Sequence, residues 1–153
     1  MQNARACAAA HPDWRDAVPY WLLLQERGIT AVLLAQLTES EPVDHESGSA
    51  AGGAGAVVGL IEIAQSPGQS AVIRNLDVLE AYRGRGIGAA LITAARRYAR
   101  EHPALAAHGE IRLAVLEGNP RAAALYRRLS FTPTGLVEQA EDGPVTWMAG
   151  ALD

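Results

Sequence analysis

The sequence predicts an α+β fold: a mixed, mostly antiparallel sheet that is flanked by helices and contains one central βαβ unit. Two observations lead to this prediction. Between residues 71 and 130 the chain alternates strand, glycine-rich loop, helix, strand and helix, an order typical of two parallel strands joined by a helix. On either side of this segment, short apolar runs follow one another with turn signals between them, which favours antiparallel strands.

The strands of this sheet are recognised by short apolar or alternating runs. They are predicted over residues 29–37, 56–64, 71–78, 110–117, 131–139 and 144–152. In the third strand, alternation assigns Val72, Leu76 and Val78 to one face and Ile73, Asn75 and Asp77 to the other. Residues 66–70 are predicted to form a turn between the second and third strands.

Three helices accompany the strands. One is predicted over residues 13–27, one from the glycine-rich loop to Pro103, and one from Asn119, which is followed by a proline that suits a first helical turn. Helical spacing predicts buried stripes of Ile87, Leu91, Ala94 and Tyr98 in the second helix and of Ala122, Leu125 and Leu129 in the third.

Length and composition favour one soluble domain over residues 1–153. The chain has 153 residues, of which 49% are hydrophobic and 20% charged, enough to bury a core and stay in solution. Residues 39–56 are acidic and then rich in glycine, alanine and serine, so we expect a mobile loop within the domain.

Charge and cysteine content exclude several classes of function. The formal net charge of −4 argues against a nucleic-acid partner, because such proteins carry a basic surface. Cys7 is the only cysteine, which excludes an internal disulfide and a cysteine-based zinc site, and we expect no metal. The N-terminal residues lack the apolar core of a signal peptide, and no apolar run is long enough to span a bilayer. We therefore expect a cytoplasmic protein without membrane association.

A glycine- and arginine-rich stretch, AYRGRGIGAAL at residues 81–91, opens the second helix. A helix N-terminus offers unpaired N–H groups and a positive dipole end, glycines allow close approach, and arginine side chains bind phosphate oxygens. The stretch therefore predicts a phosphate site, with a turn carrying solvated arginines as the alternative. Gly84, Gly86 and Ala89 also match a dinucleotide fingerprint, but Glu117, the acidic residue that ends the next strand, lies beyond the required spacing.

Two segments at this spacing resemble the GNAT superfamily of acetyl-CoA-dependent N-acetyltransferases. The first is LDVLEAYRGRGIGAALI, in which Arg83, Gly86 and Gly88 match the phosphate motif. The second is NPRAAALYRRLSF, in which the matching residues are Asn119, Ala122, Tyr126 and Phe131. The resemblance covers about residues 57–150, and it departs from the family at Ser130, where glycine is usual.

The resemblance implies where coenzyme A binds. Its diphosphate would contact the loop residues Arg83, Gly84, Arg85, Gly86, Ile87, Gly88 and Ala89. The strand before the loop would splay from its neighbour, with the N–H of Val78 holding the thioester carbonyl and the backbone of Leu76 beside the pantetheine. Asn119 would contact the cofactor, cap its helix, or do both.

The resemblance also implies Tyr126 as the general acid, since an ordinary tyrosine keeps its proton at neutral pH, while simple packing on the helix is the alternative. Three routes stay open for the general base. Glu62 stands in an otherwise apolar strand, Asp77 lies just before the loop, and a water relay needs neither carboxylate.

The implied reaction is transfer of an acetyl group from acetyl-CoA to a primary amine, by direct attack in a ternary complex. The amine belongs to a small molecule or to a protein, and a homodimer is compatible with the sequence. One alternative is a catalytically silent domain that binds acyl-CoA as a sensor or interaction module. A dinucleotide-dependent oxidoreductase is the other, and it lacks the acidic ribose-binding residue.

Overall fold

The computed structural model describes residues 30–36, 56–65 and 70–153. The predicted helix at 13–27, the loop at 39–56 except for Ala56, and the turn at 66–70 except for Ser70 lie outside these residues, as does Cys7. The strands are β1 (Thr30–Gln36), β2 (Val57–Gln65), β3 (Ala71–Val78), β4 (Glu110–Leu116), β5 (Thr132–Ala140) and β6 (Gly143–Ala151). The helices are α1 (Ile87–Glu101), α2 (Pro103–Ala106) and α3 (Pro120–Arg128), and a 3-10 turn spans Glu80–Tyr82.

The six described strands form one mixed sheet in the order β1-β2-β3-β4-β6-β5. Neighbours pair antiparallel except for β3 and β4, which are parallel and are joined through α1. The predicted α+β fold with a central βαβ unit is therefore confirmed. Each described strand begins and ends within one residue of its predicted bounds.

The core lies between the sheet and α1, which packs against β1, β2 and β3. The buried residues of α1 are Leu91, Ile92, Ala95 and Ala99. The predicted stripe is displaced, because Ile87, Ala94 and Tyr98 are only half-buried. An alanine-rich helix is apolar on more than one face, so the pattern alone does not fix its rotation.

The end of α1 also differs from the prediction that the helix runs to Pro103. α1 ends at Glu101, and Pro103 occupies the first turn of α2.

Helix α3 likewise buries a different residue from the predicted stripe. Ala122, Leu125 and Leu129 are half-buried, whereas Tyr126 is the buried residue of the helix. The three predicted residues border an open cavity, described below, and they are not sealed against the sheet.

A β-bulge changes the predicted faces of β3. The pairing with β2 shifts between Glu62 and Ile63, so that Arg74 of β3 has no partner across the strands. The extra residue reverses the alternation, and Ile73 therefore lies on the same face as Leu76, contrary to the prediction. The residues after the bulge keep their predicted arrangement, with Asn75 on the face opposite to Leu76.

Candidate active site

The sheet opens between the carboxyl ends of its two parallel strands. β3 and β4 pair only through residues 71–73 and 111–113, although both strands continue beyond these residues. At the paired end, Glu110 accepts hydrogen bonds from Ser70 Oγ at 2.9 Å and from Arg112 Nε at 2.7 Å. The bonds from Arg112 and then Ser70 hold the pKa of Glu110 below its usual value. The opening is thus fixed at one end and leaves backbone groups of β3 unpaired at the other.

The N–H of Val78 is one of these backbone groups. The next residue, Leu79, donates its N–H to Val58 O of β2 at 2.9 Å. N–H groups of successive residues in an extended strand point to opposite sides. The N–H of Val78 therefore points away from β2, toward the gap between β3 and β4.

A cavity of about 740 Å³ lies at this opening. It is bounded by the end of β3, the glycine-rich loop, the first turn of α1, and α3. The predicted site residues that line it are Leu76, Asp77, Val78, Arg83, Gly84, Gly86, Ile87, Gly88, Ala89, Asn119 and Tyr126. The other two predicted site residues, Arg85 and Glu62, do not line it.

The loop presents backbone N–H groups to this cavity. Gly84 and Gly86 have φ angles of 76° and 81°, which favour glycine over any residue with a Cβ. Gly86 precedes α1 and provides no side-chain cap, so the first N–H groups of the helix have no partner within it. Together with the positive end of the helix dipole, these groups give this end of the cavity an electrostatic character that suits an anion.

The two arginines of the loop have separate roles in the structure. Arg83 donates from Nε to Val78 O at 2.9 Å, and its guanidinium lies 3.8 Å from Asp77 Oδ1. The Arg85 guanidinium lies 4.9 Å from the centre of the Tyr82 ring. Arg83 therefore joins the end of β3 to the loop. Arg85 packs on the ring of Tyr82 and is not itself one of the residues that line the cavity.

Tyr126 is the buried aromatic residue of the cavity wall. Only 9% of it is exposed, and it packs edge-on against Phe131 with ring centres 6.0 Å apart. Burial raises the pKa of its hydroxyl above the ordinary value, so the group is protonated at neutral pH. A protonated hydroxyl beside the cavity has the chemistry of a proton donor.

Asn119 caps α3, as one of its predicted roles requires. Its side-chain oxygen accepts a hydrogen bond from Ala122 N at 3.1 Å. The residue also lines the cavity, so the cap does not exclude a second contact with a ligand.

The two carboxylates considered as general bases lie in different surroundings. Glu62 is 1% exposed and accepts hydrogen bonds from Thr30 Oγ1 at 3.2 Å and from Asn75 Nδ2 at 2.5 Å. Asp77 lines the cavity, and 43% of its side chain is exposed. A ligand in the cavity therefore has direct access to Asp77 and not to Glu62.

Sequence reasoning did not assign six of the lining residues to the site: Tyr82, Arg121, Ala122, Leu125, Arg128 and Leu129. Arg121 and Arg128 are four residues before and three residues after Leu125, so helical spacing places all three on one face of α3. That spacing was available in the sequence, but only the tertiary structure shows which face of α3 borders the cavity.

The comparison with family models identifies the chain. The acetyltransferase (GNAT) family model matches residues 13–131, most of the chain. The chain belongs to the GNAT family of acetyltransferases. No curated protein matches the sequence significantly.

Solved structures with the same fold include the following two. One is NAA60 of Arabidopsis thaliana in complex with a bisubstrate analogue, with 21% identity, a TM-score of 0.63, and coverage of 88% of this chain and 82% of NAA60. Another is the F149A variant of the spermidine N-acetyltransferase SpeG of Vibrio cholerae, with 20% identity, a TM-score of 0.65, and coverage of 91% and 75%. At these identities the likeness establishes the GNAT fold.

A third structure contains the acetyl donor. It is a Bacillus anthracis protein assigned as a streptothricin acetyltransferase and solved in complex with acetyl coenzyme A, with 22% identity, a TM-score of 0.56, and coverage of 65% of this chain and 58% of the other. Acetyl coenzyme A is the donor typical of the GNAT family. The cavity fits its anionic part, because unpaired helix N–H groups, an open glycine loop and arginine side chains meet there.

None of the helices in the described part of the chain has the length and apolar character needed to span a bilayer. Within the same part of the chain, no group of three or more histidine, cysteine, aspartate or glutamate side chains is arranged to hold a metal ion.

Proposed function

We propose that this GNAT protein transfers the acetyl group of acetyl-CoA to a primary amine, with donor and acceptor bound together. One observation carries the proposal: the N-terminus of α1, the unpaired end of β3 and the Tyr126 side chain all border the same cavity. The anion site suits the diphosphate of the donor, the backbone donor can polarise the thioester carbonyl, and the proton donor can protonate the departing thiolate. The attacking amine needs a base in addition.

Binding and orientation of the donor are the tasks of the loop and β3. The N–H groups of residues 84–89 bind the diphosphate of coenzyme A, assisted by the dipole of α1. The Val78 N–H, which points into the gap between β3 and β4, donates to the carbonyl oxygen that becomes negatively charged during attack. Acetyl-CoA supplies the thioester bond that is broken, and coenzyme A leaves as the thiol.

Proton transfer is assigned to Tyr126 and Asp77. Tyr126 holds its proton at neutral pH and gives it to the departing sulfur atom. Asp77 receives the proton of the attacking amine, directly or through water, because it is the carboxylate that lines the cavity. Glu62 is buried, and we assign it a positioning role, because its hydrogen bond orients the side chain of Asn75.

The proposed acceptor is an amine on a small molecule. SpeG, one of the proteins that share the fold, is a spermidine N-acetyltransferase, and spermidine carries primary amines. Asp77 and the net charge of −4 favour a cationic acceptor over an anionic one. A protein amine is the second class of acceptor.

Release of free thiol from acetyl-CoA across a panel of amines tests the proposed activity. We expect release that depends on a primary amine and that produces the acetylated amine, as measured by mass spectrometry. Coenzyme A binding without turnover on any amine would instead support the silent acyl-CoA sensor.

Gly86→Ala tests the assignment of the loop, with Gly109→Ala as the matched control. Both glycines have positive φ angles, 81° and 67°, and in both cases an added Cβ meets nothing within 4 Å, but only Gly86 lines the cavity. Each variant should lose roughly 1 kcal/mol of stability through backbone strain. Calorimetry should show weaker coenzyme A binding for Gly86→Ala alone, by about tenfold or more, since amide–phosphate hydrogen bonds are disturbed. Equal affinities of the two variants would contradict the loop assignment.

A further inference from the structure

We propose that Arg96 of α1 is a positioning residue for acetyl transfer, which holds the C-terminal end of α3 and thereby fixes the ring of Tyr126 in the cavity wall. This inference rests on the proposed function, in which Tyr126 is the proton donor. Arg96 does not line the cavity itself, and neither of the sequence motifs gives it a role.

The last turn of α3 is closed by two hydrogen bonds from the residues that follow the helix. Phe131 N donates to Tyr126 O at 3.0 Å, and Ser130 N donates to Arg127 O at 3.0 Å. This pair of bonds forms a Schellman motif, in which the residue that closes the turn often packs on the residue where the turn begins. Phe131 does so here, edge-on against Tyr126 with ring centres 6.0 Å apart. The orientation of the Tyr126 ring therefore depends on where Phe131 is held.

Arg96 holds this turn from the side of α1. Its Nη2 donates to Leu129 O at 2.7 Å, and its guanidinium carbon lies 4.5 Å from the centre of the Phe131 ring. A carbonyl at the end of a helix has no partner within the helix, and a cation over an aromatic face is attracted by the ring. One side chain therefore joins α1 to both the backbone and the aromatic ring that close the end of α3.

The guanidinium of Arg96 is confined by β6 as well. A Cβ built on Gly150 would overlap Arg96 Nη2 and would lie 3.1 Å from Phe131 Cδ1. Burial lowers the pKa of the Arg96 guanidinium below its usual value, although the charge of Asp153 acts in the opposite direction. In the part of the chain that the structure describes, the buried Nε of Arg96 has no hydrogen-bond partner. A buried donor without a partner costs stability, so packing alone does not account for an arginine at this position.

The position of a proton donor matters because it must lie within hydrogen-bond reach of the atom that it protonates. A small displacement of a reacting group lowers the rate of the chemical step, even when the change that causes it lies outside the site. Arg96 therefore acts on kcat through Phe131 and Tyr126. It exchanges no proton itself, and binding of the donor remains the task of the glycine-rich loop.

A double-mutant cycle of Arg96→Met and Tyr126→Phe tests the inference in steady-state acetyl transfer. Methionine keeps an unbranched apolar stem and removes the guanidinium. We expect Arg96→Met to lower kcat about 5- to 20-fold in the unaltered chain but less than about twofold in Tyr126→Phe, where no proton donor is left to position. The KM for acetyl-CoA should stay within about twofold in both chains.

Two further variants accompany the cycle. Arg100→Met removes the same charge from an exposed position of α1 and should change kcat and KM by less than about twofold. Arg96→Lys serves if circular dichroism shows that Arg96→Met does not fold. Lysine keeps the positive charge but lacks the planar group that stacks on Phe131, so kcat should fall about two- to fivefold, again only while the Tyr126 hydroxyl is present.

Equal losses of kcat with and without the Tyr126 hydroxyl would overturn the inference, since Arg96 would then act on the fold as a whole. Unchanged kcat in Arg96→Met would overturn it as well. Two other results would contradict the proposed function: no amine-dependent thiol release by the unaltered chain, or unchanged kcat in Tyr126→Phe. Either one would leave Arg96 without an acid to position, and the inference would be wrong for that separate reason.

Discussion

Among single residues, Tyr126 shows how burial changes the acid–base property of a side chain. Its position on α3 places the ring against Phe131 and makes the residue part of the cavity wall. Desolvation then raises the pKa of the hydroxyl and strengthens its hold on the proton. The same residue therefore contributes to the core and is available as an acid, which reconciles the two roles that the sequence left open.

Tyr126→Phe keeps the ring and removes the proton donor. We expect kcat to fall about 100-fold, a typical loss for a general acid, with coenzyme A affinity within about twofold of the unaltered chain. Steady-state kinetics and calorimetry measure the two quantities. Unchanged kcat would remove the acid role.

The raised pKa of Tyr126 also makes the free energy of unfolding depend on pH in a defined direction. The unfolded tyrosine loses its proton near the ordinary value of 10.0, whereas the folded one retains it to higher pH. The free energy of unfolding should therefore decrease as pH rises from that value through the raised folded pKa. Tyr126→Phe should show a smaller decrease in urea unfolding over the same interval.

Ser130 gives a second example at the residue scale. It follows α3 where the family usually has glycine, and its φ angle is 63°. This left-handed conformation is strained for a residue with a Cβ, which explains why glycine is usual there.

Ser130→Gly should therefore stabilise the protein by about 0.5–1 kcal/mol, the relief of strain less the added flexibility of the unfolded chain. Ser130→Ala is the control, since it removes the hydroxyl and keeps the Cβ, and its stability should match that of serine. Chemical denaturation measures all three chains. A glycine variant that is less stable than the alanine variant would disagree with the strain argument.

At the scale of elements, β3 and β4 behave as two strands joined at one end and separated at the other. The join is reinforced by Glu110, which links the residue before β3 to β4 through Ser70 and Arg112. The separation exposes the N–H of Val78, and α1 starts at Ile87, after the 3-10 turn and the glycine-rich loop. The site thus depends on two strands that pair over only three residues each.

Glu110→Gln tests the hydrogen bonds that link the paired ends of β3 and β4. Because hydrogen bonds from Arg112 and Ser70 lower the pKa of Glu110, its contribution to stability is complete above the usual value of 4.5 and is lost as pH falls through the folded pKa. We expect Glu110→Gln to cost about 0.5–1 kcal/mol at pH 7, reduced by solvent screening, and almost nothing well below that value. Denaturation at both pH values measures the difference.

Glu141→Gln, in the exposed turn between β5 and β6, is the control for Glu110→Gln. It should change stability little at either pH. A pH-independent loss in Glu110→Gln would indicate that the ionised carboxylate is not the stabilising group.

At the scale of the whole molecule, binding of coenzyme A links β3, the loop, α1 and α3. A ligand that binds only the folded chain stabilises all of it, by about 2.7 kcal/mol at 100 times its Kd. For a domain of this size that corresponds to a rise in Tm of about 5–10 °C. Thermal unfolding with and without coenzyme A measures this shift.

NAD is the control ligand for that experiment. It should leave Tm unchanged, because the dinucleotide alternative lacks its acidic ribose-binding residue. A shift with NAD and none with coenzyme A would reverse the assignment of the cavity.

The sequence by itself determined the order and type of the described strands and of α1 and α3, the start of α1 at the glycine loop, and the membership in an acetyltransferase family. These features depend on residues close together in the chain: alternating apolar residues, a capping asparagine before a proline, and glycines in a tight turn. Local patterns carry them, so they were predictable before any packing was known.

Only the tertiary structure decided which faces are buried and which side chains meet. The bulge at Arg74 reversed the alternation of β3, the rotation of α1 buried Ile92 and Ala95, and the packing of α3 turned Arg121 and Arg128 toward the cavity. The tertiary structure also distinguishes Glu62 from Asp77 as a candidate base. Both are carboxylates in strands, and of the two only Asp77 lines the cavity. Such contacts join residues far apart in the chain, and their geometry depends on the whole sheet.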